Sequence, residues 1–152
     1  MKHRRKLLGL FVGVALAHVG AAAEATLLAL NNWRITETDS GFLLAHADKA
    51  VAPFELFSDG GTPKLRTCEV AKEDARIALL TYASGSAGTS QIYDVTRVVV
   101  IDLPKKKILG IVLKAYTPSG GAPELRQPLW MWSANRLAVV DREYGGTTTV
   151  RW

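Results

Sequence analysis

The stretch IYDVTRVVVIDL (residues 92–103) is one of the two strongest indications of the fold in this sequence. It is rich in β-branched and large apolar side chains, which favour pleated sheet. Its run VVVI (98–101) is apolar on both faces of a strand, and this predicts a central strand that is covered on both sides. The stretch RIALLTY (76–82) has the same character and comes just before it. The two stretches are therefore expected to be the strongest strands of a β-rich domain.

Outward from these two strands, the chain alternates short apolar runs with clusters of Gly, Pro, Asn and Asp, a pattern typical of strands and turns. The other predicted strands are WRITET (33–38), FLLAHA (42–47), FELF (54–57), ILGIVLKAY (108–116), LWMWS (129–133), RLAVVD (136–141) and TTTVRW (147–152). Only CEVAKEDARIALL (68–80) competes as a helix, and we expect at most a short helical turn at 71–74. The sequence predicts an all-β domain, an antiparallel sandwich or small open barrel of about eight or nine strands.

The stretch YASGSAGTSQIY (82–93) connects the two strongest strands. Its nine central residues, 83–91, exceed the two to five that are usual for a hairpin, which indicates either a binding loop or a disordered tip. Ordering nine residues on binding would cost on the order of 10 kcal/mol, so a tight binder must hold this loop largely preformed. A second Gly-rich segment, TPSGGAP (117–123), is a further candidate contact. The candidate binding residues are Ser84, Ser86, Thr89, Ser90 and Tyr93.

The order strand, then SGSAGTS (84–90) with Tyr93 close behind, then strand resembles the serine/glycine/tyrosine loop of periplasmic lysozyme inhibitors. The resemblance covers about a dozen residues of low complexity. It implies a small β-sandwich that inserts this loop into the active-site cleft of an enzyme. In this sequence Tyr93 is separated from Ser86 by six residues, which departs from the order of the family's loop.

The main alternative is a small periplasmic hydrolase with an unrecognised site. Ser86 lies in the order S-G-S-A-G, whereas a nucleophile elbow needs G-x-S-x-G between a strand and a helix. A triad of Ser86 with His46 and an aspartate has no motif to support it. Cys68 is followed by Glu69, and a negative neighbour raises a thiol pKa, so cysteine catalysis is disfavoured. We therefore expect a non-catalytic binding module.

The inventory of ligand side chains is thin. Beyond residue 23 the chain has one His and one Cys, 22 positions apart, with no second ligand at short spacing, so no metal is expected. Asp39, Asp59 and Asp94 are carboxylates that could bind calcium, but they form no run of alternating acidic residues. The glycine pairs have neither the lysine nor the third glycine of a nucleotide loop, and no cofactor is expected.

The chain opens MKHRRKLLGLFVGVALAHVGAAAEA (1–25). A basic segment (2–6), an apolar stretch (7–19) and the A-x-A order of Ala21 and Ala23 are the layout of a secretory signal peptide. The apolar stretch is about 13 residues, shorter than the roughly 20 of a spanning helix. We therefore expect residues 1–23 to be a signal peptide and residues 24–152 a single β-rich domain, periplasmic or secreted, with no stable membrane anchor after cleavage.

Removal of the leader changes the charge of the protein. Four of the 19 basic residues lie in the leader and none of the 14 acidic residues does, so 15 basic residues face 14 acidic ones in the remainder. A near-neutral domain lacks the surplus of Lys and Arg that binding to nucleic-acid phosphates requires. No nucleic-acid partner is expected, and a protein of the cell envelope is the expected partner. The sequence leaves the oligomeric state open.

Overall fold

The computed structural model describes residues 15–152. Helix α1 (Ala15–Leu28) leads through a 3-10 turn (Leu30–Asn32) into ten strands. The strands are β1 (Trp33–Thr38), β2 (Gly41–His46), β3 (Phe54–Leu56), β4 (Lys64–Val70), β5 (Ile77–Ala87), β6 (Ile92–Asp102), β7 (Lys107–Ser119), β8 (Leu129–Ser133), β9 (Arg136–Val140) and β10 (Thr147–Arg151).

The strands form three antiparallel sheets, none of which closes on itself. The N-terminal sheet has the order β1-β2-β3, the middle sheet β4-β5-β6-β7 and the C-terminal sheet β10-β9-β8. Neighbouring strands are consecutive in sequence throughout, so every pairing arises from a simple hairpin or connecting loop. The predicted all-β class is confirmed, while the described residues form ten strands instead of the expected eight or nine.

Strand β6 is covered on both faces, as its composition predicts. Val98, Val99, Val100 and Ile101 are at most 1% exposed. Val99 and Ile101 pack in a core cluster with Trp33, Leu44 and Leu56 of the N-terminal sheet. Val98 and Val100 pack in a second cluster with Leu137, Val139 and Val150 of the C-terminal sheet. The two apolar faces of one strand therefore serve two separate cores.

Strand β4 is the tenth strand, which the sequence analysis missed. Its register against β5 shifts between Leu65 and Thr67, where a β-bulge interrupts the alternation. As a result Leu65, Cys68 and Val70 pack on the same core although their spacing is irregular. The helical turn considered at 71–74 is absent, and these residues form a bend before β5.

Helix α1 crosses the boundary at which the sequence predicts cleavage. In the described part of the chain, the rest of the domain donates hydrogen bonds to backbone carbonyls of helix residues that follow Ala23. The Trp33 indole donates to the Leu27 carbonyl at 2.7 Å, and the Asn32 amide donates to the Thr26 carbonyl at 3.1 Å. The basic segment and most of the apolar stretch of the predicted leader lie outside the described residues. Within the described part, no helix is long and apolar enough to cross a membrane.

Candidate functional site

The connection between β5 and β6 is a short turn at the end of a three-stranded projection, which the upper parts of β5, β6 and β7 form. Strand β5 continues to Ala87 and β6 begins at Ile92, so the turn is 88–91 and the expected nine-residue loop is wrong. The ladder continues into the segment rich in Ser and Gly, since Ser86 pairs with Asp94 and Ala87 with Tyr93. The preformed state that tight binding would need is therefore supplied mainly by backbone pairing.

A five-residue segment, 57–61, supports the base of this projection. The Ser84 hydroxyl donates to the Phe57 carbonyl at 3.2 Å, and the Asp59 amide donates to the Ser84 carbonyl at 2.8 Å. The buried Tyr82 hydroxyl donates to the same Phe57 carbonyl at 2.9 Å. Ser84 is fully buried, so its side chain is a support for the projection and is not presented to a partner.

Gly85 allows the closest approach in this support. It forms an isolated parallel bridge with Gly60. Its φ is 127°, and a Cβ atom at this position would overlap the backbone of Gly60, including its carbonyl oxygen. Glycine is therefore required twice here, for its backbone conformation and for its lack of a side chain.

The upper part of the projection is braced by two polar contacts. The Ser86 hydroxyl donates to a carboxylate oxygen of Asp94 at 2.8 Å. The Tyr93 hydroxyl donates to the side-chain oxygen of Gln91 at 3.2 Å, and Tyr93 is only 4% exposed. Ser86 remains exposed, whereas the Tyr93 ring is buried and its hydroxyl contacts the turn through Gln91.

The two Gly-rich segments that the sequence singles out lie side by side. Ile92 pairs with Ser119 at the end of the β6–β7 ladder. Between them is a cavity of about 210 Å³, which is lined by Ser90, Gln91, Ile92, Ser119, Gly120, Gly121 and Ala122. We call these seven lining residues together with Thr89 the tip surface. It is uncharged, and Thr89, Ser90 and Ile92 are exposed on it.

The second segment is anchored by one amide side chain. The Gln127 amide group donates to the Tyr116 carbonyl at 2.8 Å, and its oxygen accepts from the Tyr116 amide at 3.1 Å. Gln127 thus imitates a neighbouring strand where β7 has none. This ties the far end of the loop 120–128 to the sheet, so both sides of the cavity have fixed bases.

Sequence analysis missed an ion pair below the projection. Arg97 donates to Asp59 through Nε at 2.6 Å and through a terminal nitrogen at 2.8 Å, and its guanidinium lies 4.5 Å from the centre of the Phe57 ring. Burial by itself would raise the pKa of Asp59, but the hydrogen bonds and charge of Arg97 hold it below its usual value. In the sequence, the one sign of this ion pair is Arg97 itself, a charged residue directly before the apolar run of β6.

The side chains proposed for a hydrolase have other partners. His46 packs edge-on against Trp33 with ring centres 4.5 Å apart. Its Nδ1 accepts from the Asp48 amide at 2.9 Å, and its Nε2 lies 3.3 Å from the Thr26 carbonyl, so neither nitrogen bonds a serine. Burial and the adjacent Glu69 raise the pKa of the Cys68 thiol to about 12. A thiol with that pKa is protonated at neutral pH and is a poor nucleophile.

Among residues 15–152, no three His, Cys, Asp or Glu side chains gather in a group that could hold a metal ion. Asp59 is paired with Arg97 and Asp94 accepts from Ser86, so two of the three carboxylates considered for calcium already have partners.

In comparisons with known proteins, the chain matches no family model, no curated protein and no solved structure.

Proposed function

We propose that this protein is an exported, non-catalytic binding module that contacts its partner through the tip surface. One observation carries the proposal: the tip surface is exposed and uncharged but stands on a base fixed by backbone pairing, by Ser84 and Gly85 below it, and by Gln127 beside it. A surface that is ordered before binding avoids the entropic cost of ordering a floppy loop.

The chemistry of the tip surface defines the kind of partner that we propose. Residues 83–93 and 117–123 carry no charged side chain, and the one aromatic ring among them, that of Tyr93, is buried. Small residues let two backbones approach closely, and exposed Ser and Thr hydroxyls supply hydrogen bonds without charge. Ile92, 49% exposed, adds an apolar contact. This combination suits a concave protein surface in the cell envelope.

The resemblance to the loop of lysozyme inhibitors makes a lysozyme the first partner to test. The inward position of Tyr93 means that, in this protein, such a contact would depend on Thr89, Ser90 and Ile92 instead of an aromatic tip residue. Ser86 would act through its bond to Asp94, which holds the two strands together just below the turn.

The layered arrangement that we propose for the mature domain is a sandwich. The separate packing of the two faces of β6 supports it, because one face meets residues of β1–β3 and the other meets residues of β9 and β10. Such packing leaves the β5–β6 tip projecting beyond the covered part of the middle sheet. Export as residues 24–152 fits this proposal, since Thr26 and Leu27 are retained.

The test is a pull-down with Ser90→Arg, which adds a long charged side chain to the uncharged tip surface. The bait is the purified processed protein, and the prey are an envelope extract and a panel of lysozymes. We expect the unmodified protein to retain a partner and Ser90→Arg to lose it, with a dissociation constant raised about 100-fold because an unpaired charge would be desolvated.

The matched control is Ser40→Arg. Ser40 is also an exposed serine in a hairpin turn, between β1 and β2, and the same change there should leave binding unaltered. Equal retention by both variants would place the contact elsewhere and contradict the proposal. Capture of nothing by the unmodified protein would also contradict it, and would direct the search to the alternative of a small hydrolase.

A further inference from the structure

The three open sheets leave six strand edges, on β1, β3, β4, β7, β8 and β10. An edge strand presents unpaired backbone N–H and C=O groups, which makes it a template for pairing with another strand. Soluble proteins usually block such edges with charged side chains, bulges, proline or very short strands. The six edges of this protein can be compared on that basis.

Five of the six edges carry such a block. Strand β3 is three residues long and contains Glu55. Strands β4 and β7 both contain lysine and both show register shifts. Strand β1 carries Arg34 and Glu37, and strand β10 carries Arg151. These edges are therefore poor templates for pairing.

Strand β8 is the exception. Its sequence LWMWS has no charge and no proline, and it pairs with β9 over five residues without a register shift. Leu129 is 45% exposed and Met131 is 43% exposed. Among the described residues, no hydrogen bond from outside the C-terminal sheet reaches the β8 backbone, since the bonds of Trp130 and Ser133 beyond the ladder involve only their side chains.

We propose that β8 pairs with β8 of a second copy of this chain, so that two C-terminal sheets join into one six-stranded antiparallel sheet. A two-fold axis through the edge is the natural symmetry for two identical antiparallel strands. The register with the most pairs places Met131 opposite Met131 of the second copy, Trp130 opposite Trp132, and Leu129 opposite Ser133.

Charge favours a second copy as the occupant over a charged peptide. In the proposed register no ionisable side chain of β8 faces its own copy, so the like-charge repulsion that opposes self-pairing is absent. Arginines lie beyond both ends of the strand, where Arg136 donates to the Ser133 hydroxyl and Arg142 donates to the Gln127 carbonyl. The axis at Met131 therefore places the two Arg136 side chains at opposite ends of the joint. An uncharged apolar edge has nothing to select a charged partner strand.

The experiment measures the molar mass of the protein by sedimentation across a range of concentrations. It uses protein expressed from the full chain and purified in its processed form, with the N-terminus established by intact mass. We expect a monomer–dimer equilibrium with a dissociation constant in the micromolar range, because a joint of five-residue strands is small. Met131→Lys puts two lysines opposite each other and should weaken the dimer about 100-fold.

The matched control is Thr149→Lys. Met131 on β8 and Thr149 on β10 both pair with Ala138 of the central strand β9. Thr149 therefore occupies the equivalent position on the opposite edge of the same sheet. It is exposed, so the added charge is equal and only its edge differs. The dimer should persist in this variant. Both variants should keep the circular dichroism spectrum of the parent, which separates loss of pairing from loss of folding.

A mixing experiment tests the register. Met131→Glu alone should also be monomeric, whereas an equimolar mixture of Met131→Lys and Met131→Glu should restore a dimer, because opposite charges then face each other. A parent protein that stays monomeric up to about 1 mM, or a Met131→Lys variant that dimerises like the parent, would overturn the proposal. These outcomes are independent of the tip surface, so the binding proposal stands or falls separately.

Discussion

The β5–β6 hairpin has two halves that are held together by different forces. In the lower half, 77–82 with 97–102, most apolar side chains are buried, and Ile77, Leu80 and Ile101 have no exposed surface. In the upper half, 84–87 with 92–95, most residues are small or polar, and hydrogen bonds and a glycine contact add to a small apolar cluster around Val95. The same two strands thus pass from a core into a projection.

This difference determines which half of the hairpin tolerates amino-acid substitutions. Burial of apolar surface contributes about 25 cal/mol per Å², so the lower half provides most of the stability of the hairpin. An exposed hydrogen bond of the upper half, such as that from Ser86 to Asp94, contributes only about 1 kcal/mol net. A binding surface on the upper half can therefore vary in sequence without loss of the fold, provided that its few backbone requirements are kept.

The largest expected effect comes from Leu80→Ala in the lower half. Removal of a fully buried side chain leaves a cavity, and we expect the free energy of unfolding to fall by about 2–5 kcal/mol. Urea denaturation followed by tryptophan fluorescence measures this. Leu43→Ala makes the same change at a half-buried site on β2 and should cost clearly less. Equal losses would mean that the lower half is no more dependent on burial than the N-terminal sheet.

The next effect is expected from Gly85→Ala at the base of the upper half. The added methyl would overlap Gly60 at a backbone angle that alanine rarely adopts, so we expect a loss of about 2–3 kcal/mol. The control is Gly120→Ala, because Gly120 has a φ of 62° and open space around it, and this change should cost only about 1 kcal/mol, the strain of alanine in a left-handed conformation. Denaturation of both variants gives the comparison. If Gly85→Ala costs no more than the control, the support by 57–61 is not rigid.

The sequence predicts the lower half well and the upper half poorly, for a physical reason. A run such as VVVI is diagnostic because two-sided burial demands apolar residues at every position. By contrast, SGSA (84–87) has the composition of a loop, although here it forms strand because Gly60 and the Phe57 carbonyl supply contacts from distant sequence. The same limit hid β4, whose bulge breaks the alternation, and the Asp59–Arg97 pair, whose partners lie 38 residues apart.

The smallest expected effect comes from Asp59→Asn, at the boundary between the two halves. Because Arg97 holds the folded-state pKa of Asp59 below its unfolded value of about 4, the pair stabilises the fold above that pH, and the contribution is lost as the pH falls through the folded-state pKa. We expect Asp59→Asn to cost about 1–2 kcal/mol at pH 7 and progressively less below pH 4.

Denaturant titrations of the parent and the Asp59→Asn variant at a series of pH values between 7 and about 2 test this convergence. Asp39→Asn, at an exposed turn between β1 and β2, serves as the control and should stay close to the parent throughout. A constant difference between Asp59→Asn and the parent at all pH values would show that the carboxylate acts through its shape and hydrogen bonds alone. Convergence at low pH would show instead that its charge, through Arg97, fixes the segment 57–61 against Ser84 and so holds the upper half in place.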